Sequence, residues 1–109
     1  MAVNRYRAGR RVEYLAIEEL REAGLQAVRT AGSHGPFDVM AWSGLILWLI
    51  QVKAVSDRAE IGRAVRESEV RFAAAKLPIG RFCLAETWVR VDGKFDVYEF
   101  QRGLVDRSS

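Results

Sequence analysis

The chain of 109 residues holds one cysteine, Cys83, and one histidine, His34. A lone cysteine excludes an intramolecular disulfide and a cysteine-rich zinc site. A lone histidine excludes metal sites built on two histidines and argues against a Ser-His-Asp triad. Cys83 is expected to be a small buried hydrophobe. Long hydrophobic runs are also missing. The longest, Leu45 to Ile50, falls far short of the ~20 residues that a membrane-spanning helix needs. The arginine-rich start, Met1 to Arg11, is followed by no long apolar segment, so no secretory signal, no membrane partner and a cytoplasmic location are expected. No repeat, low-complexity block or linker is evident. Half of the residues are hydrophobic and 28% are charged, the composition of a folded domain. A single domain over 1–109 is expected, with 1–5 and 104–109 flexible. The net charge of +3 is a small excess, but the basic residues are mostly arginine.

Helical spacing of Val12, Leu15, Ala16, Leu20 and Ala23 predicts a helix from about Tyr6 to Ala23, with Gly24 as its C-cap. Leu25 to Thr30 reads as a short strand. A glycine-rich loop, Ala31 to Pro36, precedes a second strand, Phe37 to Trp42. After a turn at Ser43-Gly44, Leu45 to Ala54 reads as a central strand, because both of its faces are apolar. Ser56 or Asp57 then caps a helix running to about Lys76. Its inner stripe is Ile61, Val65, Phe72 and Ala75, and Arg58, Arg63, Arg66, Glu67 and Arg71 lie on its outer face. Pro78 and Gly80 end it. Arg81 to Val91 and Lys94 to Phe100 form a hairpin about Asp92-Gly93. The order is αβββαββ, an α/β domain with a mixed five-stranded sheet flanked by helices.

The central strand breaks its own pattern. Six apolar residues are followed by Gln51 and Lys53, two apart and so on one face. Burying a lysine and an amide costs several kcal/mol unless they find partners. A hairpin through Ser43-Gly44 brings Asp38, at the start of the preceding strand, beside them. Glu13 falls roughly 70° from the centre of the first helix's apolar face, at ~100° per residue, and can point toward a site at the sheet edge. Two carboxylates, an amide oxygen and a lysine suit Mg²⁺ or Mn²⁺. Such a metal binds a phosphate oxygen and lowers the pKa of an attacking water, while an ammonium stabilises developing negative charge. That is the equipment of a phosphodiester hydrolase. The alternative is that Asp38 and Lys53 form a buried ion pair.

Gly35-Pro36-Phe37-Asp38, followed by Gln51-Val52-Lys53, resembles the PD-(D/E)xK nuclease motif. Within that superfamily, Tyr6 to Glu13 and Val28-Arg29-Thr30-Ala31-Gly32-Ser33 are similar to the archaeal-type Holliday junction resolvases, which also occur in viruses. The resemblance is strong over Arg5 to Lys53 and mainly topological beyond. It implies a restriction-endonuclease-like fold, and Mg²⁺, with Mn²⁺ as a substitute, held by Glu13, Asp38, Gln51 and the Val52 backbone carbonyl. Lys53 becomes the catalytic lysine. Arg29 and Ser33 are implied at the DNA backbone or the scissile phosphate. The implied enzyme is a homodimer that resolves four-way DNA junctions by paired symmetric cuts leaving 5′-phosphates; a viral member would act in the host cytoplasm. Gln51 stands where the family usually has glutamate. An amide oxygen ligates without bringing charge, so weaker metal binding is expected.

Other features divide between function and structure. Arg5, Arg7, Arg10 and Arg11 oppose the dipole of the first helix at ~0.3–1 kcal/mol each where they lie in its first turn, so phosphate binding is the better account than a solvated face. The arginines of the second helix are interleaved with Glu60, Glu67 and Glu69 and read as a solvated, self-paired face. Gly32 to Pro36 form either a tight turn or a close approach to DNA, and His34 is expected as a loop or DNA-contact residue. Trp42 and Trp48 are expected in the core. Trp88, Phe95, Tyr98 and Phe100 fill the core or form a dimer patch. Two rival functions remain beside the resolvase: a nuclease for nicked, flapped or mismatched duplex, and a non-catalytic junction-binding protein that lost activity through Gln51.

Overall fold

The computed structural model describes residues 2–30, 35–101 and 103–105, with side chains from Gly9 onward. A helix, α1 (Ala2–Glu22), leads into β1 (Gln26–Arg29), β2 (Val39–Ser43) and β3 (Ile46–Ala54). A 3-10 turn at Arg58–Glu60 precedes α2 (Ile61–Ala75), and β4 (Cys83–Val91), β5 (Lys94–Glu99) and β6 (Gly103–Leu104) follow. The strands form one six-stranded sheet in the order β1-β2-β3-β4-β5-β6. β3 and β4 pair in parallel, and the other pairs among the described residues are antiparallel. A parallel pair needs a long crossover, which α2 supplies, and its strands must be covered on both faces.

The expected α/β architecture is therefore present, with one strand more than the five expected. β6 is two residues long, too short to carry a period. It pairs Leu104 with Tyr98 and Gly103 with Glu99. Val105 donates to the Val97 carbonyl at 2.7 Å and packs on the core, so the chain is anchored to that point; residues 106–109 lie outside the described residues.

One sheet face packs on α1 through Ala16, Ile17 and Leu20, against Ala27, Val39, Ala41, Ile50, Val52, Trp88 and Val97. Phe95 tilts onto Trp88 with ring centroids 5.3 Å apart. On the other face, Ile61 packs with Val89 and Val91, and Phe72 meets Phe100 at 5.6 Å. Of the terminal aromatics, Trp88 is buried, and Phe95, Tyr98 and Phe100 are half-buried against the core. Buried Cys83 is the small hydrophobe expected, and burial raises its thiol pKa.

Both helical stripes differ in detail from the periodic reading. Ala23 lies past the end of α1 and is exposed, and Ile17 is buried instead. On α2 the buried residues are Ile61, Ala64, Ser68 and Phe72, while Val65 is half-buried and Ala75 exposed. Ser68 is buried because its hydroxyl is 2.6 Å from that of Thr87 on β4, which satisfies both. Lys76 enters the left-handed region at φ 52 and stops the helix ahead of Pro78. Trp42 is 38% exposed rather than in the core. It shares a face with Gln26 and Leu47 by register, at the sheet margin away from β4, where α2 packs. At the β4–β5 turn, Asp92 and Gly93 both take positive φ (53° and 75°), as a two-residue hairpin requires.

Candidate active site

The backbone of Asp38 is clamped from two sides. Its N–H donates to the Ile50 carbonyl at 2.8 Å, and its carbonyl accepts from Thr30 N at 2.8 Å and from the Thr30 hydroxyl at 3.1 Å. Beyond the Val39–Ile50 pair the β2–β3 ladder ends. The Asp38 side chain takes over there. Its Oδ2 accepts from the Val52 N–H at 3.0 Å and from Gln51 Nε2 at 2.8 Å.

The carboxyl pKa of Asp38 is raised above its ordinary value. Burial is the main cause, and the negative charge of Glu13 adds to it. The Val52 hydrogen bond and the positive charges of Lys53 and Arg71 act the other way. Glu13, Lys53 and Arg71 are thus near enough for Asp38 to feel them, although they come from α1, β3 and α2.

Gln51 is buried, and its Oε1 has no hydrogen-bond partner among the described residues. A buried oxygen without a donor is costly. Together with the Asp38 carboxylate it offers oxygen donors of the kind that Mg²⁺ and Mn²⁺ accept. Among the described residues there is no cluster of three or more His, Cys, Asp and Glu, so the amide is what extends the donor set here.

Lys53 makes no ion pair with Asp38 within 4.0 Å among the described residues; its Nζ lies 3.9 Å from Glu67 Oε2. A closed Asp38–Lys53 pair, the purely structural account, is therefore not what the fold builds. Glu13 is engaged by Arg29, whose Nε donates to Oε1 at 2.6 Å, and Arg29 also lies 5.9 Å over the Tyr14 ring. Two residues expected to face metal and DNA separately are thus joined, a contact invisible in the sequence. Arg10 and Arg11 are exposed on α1. Arg5 and Arg7 lie on α1 ahead of the described side chains, and Ser33 and His34 lie outside the described residues.

The second helix departs most from expectation. Arg63, Arg66, Glu67, Val70 and Arg71 occupy positions i, i+3, i+4, i+7 and i+8, one stripe of a helix. With Lys53 they line a cavity of about 450 Å³. Arg71 also lines an adjoining cavity of about 330 Å³ with Gly35, Pro36, Ala74 and Ala75. Among the described residues, Arg63, Arg66 and Arg71 have no carboxylate within 4.0 Å. The face is not self-paired: Glu67 turns to Lys53, and Arg58 pairs with Asp92 and Asp96 at 3.4 and 3.0 Å. The i, i+3, i+8 arginine spacing was the available signal, but its meaning depends on which way α2 faces.

Gly62 bears on this stripe. A Cβ there would lie 3.3 Å from Arg66 Nη1, so the missing side chain leaves room for that guanidinium. Gly62→Ala is expected to stabilise the fold by about 0.5–1 kcal/mol through helix propensity, because the long Arg66 side chain can shift. A thermal melt checks it; a lowered Tm would mean that Arg66 is held rigidly.

A third cavity, of about 460 Å³, lies under the end of α1 and is lined by Leu20, Leu25, Trp48, Trp88 and Phe95, with Glu19 and Glu86 its charged groups. Its apolar, acidic lining suits no polyanion.

No family model and no curated relative matches the chain. Among solved structures it is similar to that of Archaeoglobus fulgidus Hjc, a Holliday junction resolvase from an archaeal hyperthermophile, with a TM-score of 0.61 and 23% identity. The match covers 93% of this chain and 85% of that one. The two proteins share a fold. The likeness spans both halves, although the motif resemblance is concentrated between Arg5 and Lys53. Among the described residues, no helix is long and apolar enough to cross a membrane.

Proposed function

We propose that the chain is a single-domain, divalent-metal-dependent DNA endonuclease that cuts four-way junctions. What supports this reading is the half-buried carboxyl of Asp38, hydrogen-bonded to Gln51, whose own amide oxygen is unsatisfied, and within reach of the positive charge of Lys53. The resolvase fold supports the substrate class. Asp38, Gln51, Glu13 and the Val52 carbonyl hold Mg²⁺, or Mn²⁺ in its place. When bound, the ion supplies Lewis-acid stabilisation of the phosphate and a more acidic water. Lys53 adds positive charge beside the scissile phosphate. Exposed Arg10 and Arg11, with Arg5, Arg7, Arg29, Ser33 and His34, contact the backbone. Selectivity rests on junction shape and phosphate contacts. Two sites on one face of a homodimer give paired symmetric nicks with 5′-phosphates, in the cytoplasm of a cell or of a virus's host.

A second reading, a junction-binding protein without catalysis, is favoured by two contacts. Gln51 Nε2 donates to the carboxylate that the metal needs, and Glu13 is tied to Arg29. Cleavage of a labelled four-way junction, beside linear duplex, at millimolar Mg²⁺ decides between them. The parent is expected to nick the junction in symmetric pairs. Lys53→Ala is expected to lower the rate by roughly 10²–10³, the scale of losing one preorganised charge-stabilising group. Tight binding without cleavage in either Mg²⁺ or Mn²⁺ selects the second reading.

A further inference from the structure

A phosphodiester strand is longer than one scissile phosphate, and the phosphates beside the cut need cations of their own. The stripe on α2 is placed for that. The cavity it lines is shared with Lys53 of β3, two residues beyond Gln51, and Arg71 connects it to the second cavity at Gly35 and Pro36, just ahead of Asp38. Four cations and one carboxylate line the cavity at Lys53, and that carboxylate, Glu67, is drawn toward Lys53. Arginines with no carboxylate within 4.0 Å among the described residues contribute little stability to the fold, and three on one stripe repel one another. Their side chains present planar donors suited to phosphate oxygens.

We infer that the α2 stripe of Arg63, Arg66 and Arg71 binds the DNA backbone flanking the phosphate at Asp38 and Lys53, as a track separate from the arginines of α1. The inference rests on the proposed nuclease reading for the position of the cut, but not for DNA binding itself. The occupant is a phosphodiester chain because the lining is cationic and offers one apolar side chain, Val70.

The test is the salt dependence of binding to a four-way junction and to a linear duplex, for the parent, for Arg63→Gln/Arg66→Gln, and for a control with Arg81→Gln/Lys94→Gln. Each pair removes two positive charges, and all four side chains are exposed, so the fold is retained; thermal melts check this. Loss of a phosphate contact flattens the slope of log affinity against log salt by about 1 per residue. The α2 variant is expected to flatten it by about 2 on both DNAs, with the control close to the parent. A slope equal to the parent's, or equal flattening in the control, overturns the track and leaves the nuclease reading intact. Parent binding with the expected α2 dependence but no cleavage supports the track while removing the nuclease reading. A parent that binds neither DNA removes both.

Discussion

The Gln51→Glu variant is expected to be much less stable than the parent in metal-free buffer at neutral pH, and to be rescued by Mg²⁺ or Mn²⁺. Gln51 Nε2 now donates to Asp38 Oδ2 across 2.8 Å, in a buried position. A carboxylate there replaces a donor with a like charge. An uncompensated buried charge costs about 3–5 kcal/mol, and each kcal/mol moves the Tm of a domain this size by about 4–8 °C. Part of the cost is relieved when the two carboxyls share a proton, so the deficit grows as pH rises. A divalent ion converts the same pair into ligands. Binding at a hundred times its dissociation constant returns about 2.7 kcal/mol. Melting curves with EDTA and with each metal measure both effects. A variant as stable as the parent without metal, and unmoved by either ion, would show that Asp38 and position 51 are not a metal site. Cleavage by Gln51→Glu where the parent has none would identify the natural chain as the non-catalytic form.

The Asp38→Asn variant is expected to melt higher than the parent at neutral pH while losing cleavage. The folded-state pKa of Asp38 is raised, mainly by burial. Such a group contributes stability below its unfolded pKa, about 3.9, and that contribution is lost as pH rises through the folded value. At neutral pH the cost of ionising a buried Asp38 is therefore one that the amide avoids, while an amide oxygen can still accept the Val52 N–H. The stability gap should close as pH falls toward 4, taken as about the unfolded carboxylate pKa. The expected gain is a few degrees, at about 4–8 °C per kcal/mol. Loss of a ligand to the metal is expected to reduce cleavage more than the about 10–100-fold seen for supporting residues around metals. A drop in Tm at neutral pH would instead make Asp38 a structural residue. Together the two variants ask whether this corner gives up stability to hold a cation.

Much of the candidate site was legible because it violates a pattern. Gln51 and Lys53 interrupt an apolar strand, and a polar interruption of a buried strand needs a partner; hairpin geometry supplied Asp38. The same reasoning failed for α2. The spacing of Arg63, Arg66 and Arg71 was visible, but interleaved glutamates suggested local pairing, and only the approach of α2 to Lys53 shows Glu67 drawn away. Trp42 was misplaced because hydrophobicity says that a side chain prefers burial, not that a helix is available to cover it.

The sequence by itself determined the succession of the longer helices and strands, the Asp92-Gly93 hairpin and the meeting of Asp38 with Gln51, because periodicity, turn chemistry and a short hairpin act over a few residues. The tertiary structure alone decided the parallel pairing of β3 with β4, the anchoring of β6, the engagement of Glu13 by Arg29 and the direction of the α2 arginines. These join segments distant along the chain, and which charges meet depends on the packing angle of a helix that burial of Ile61, Ala64, Ser68 and Phe72 sets.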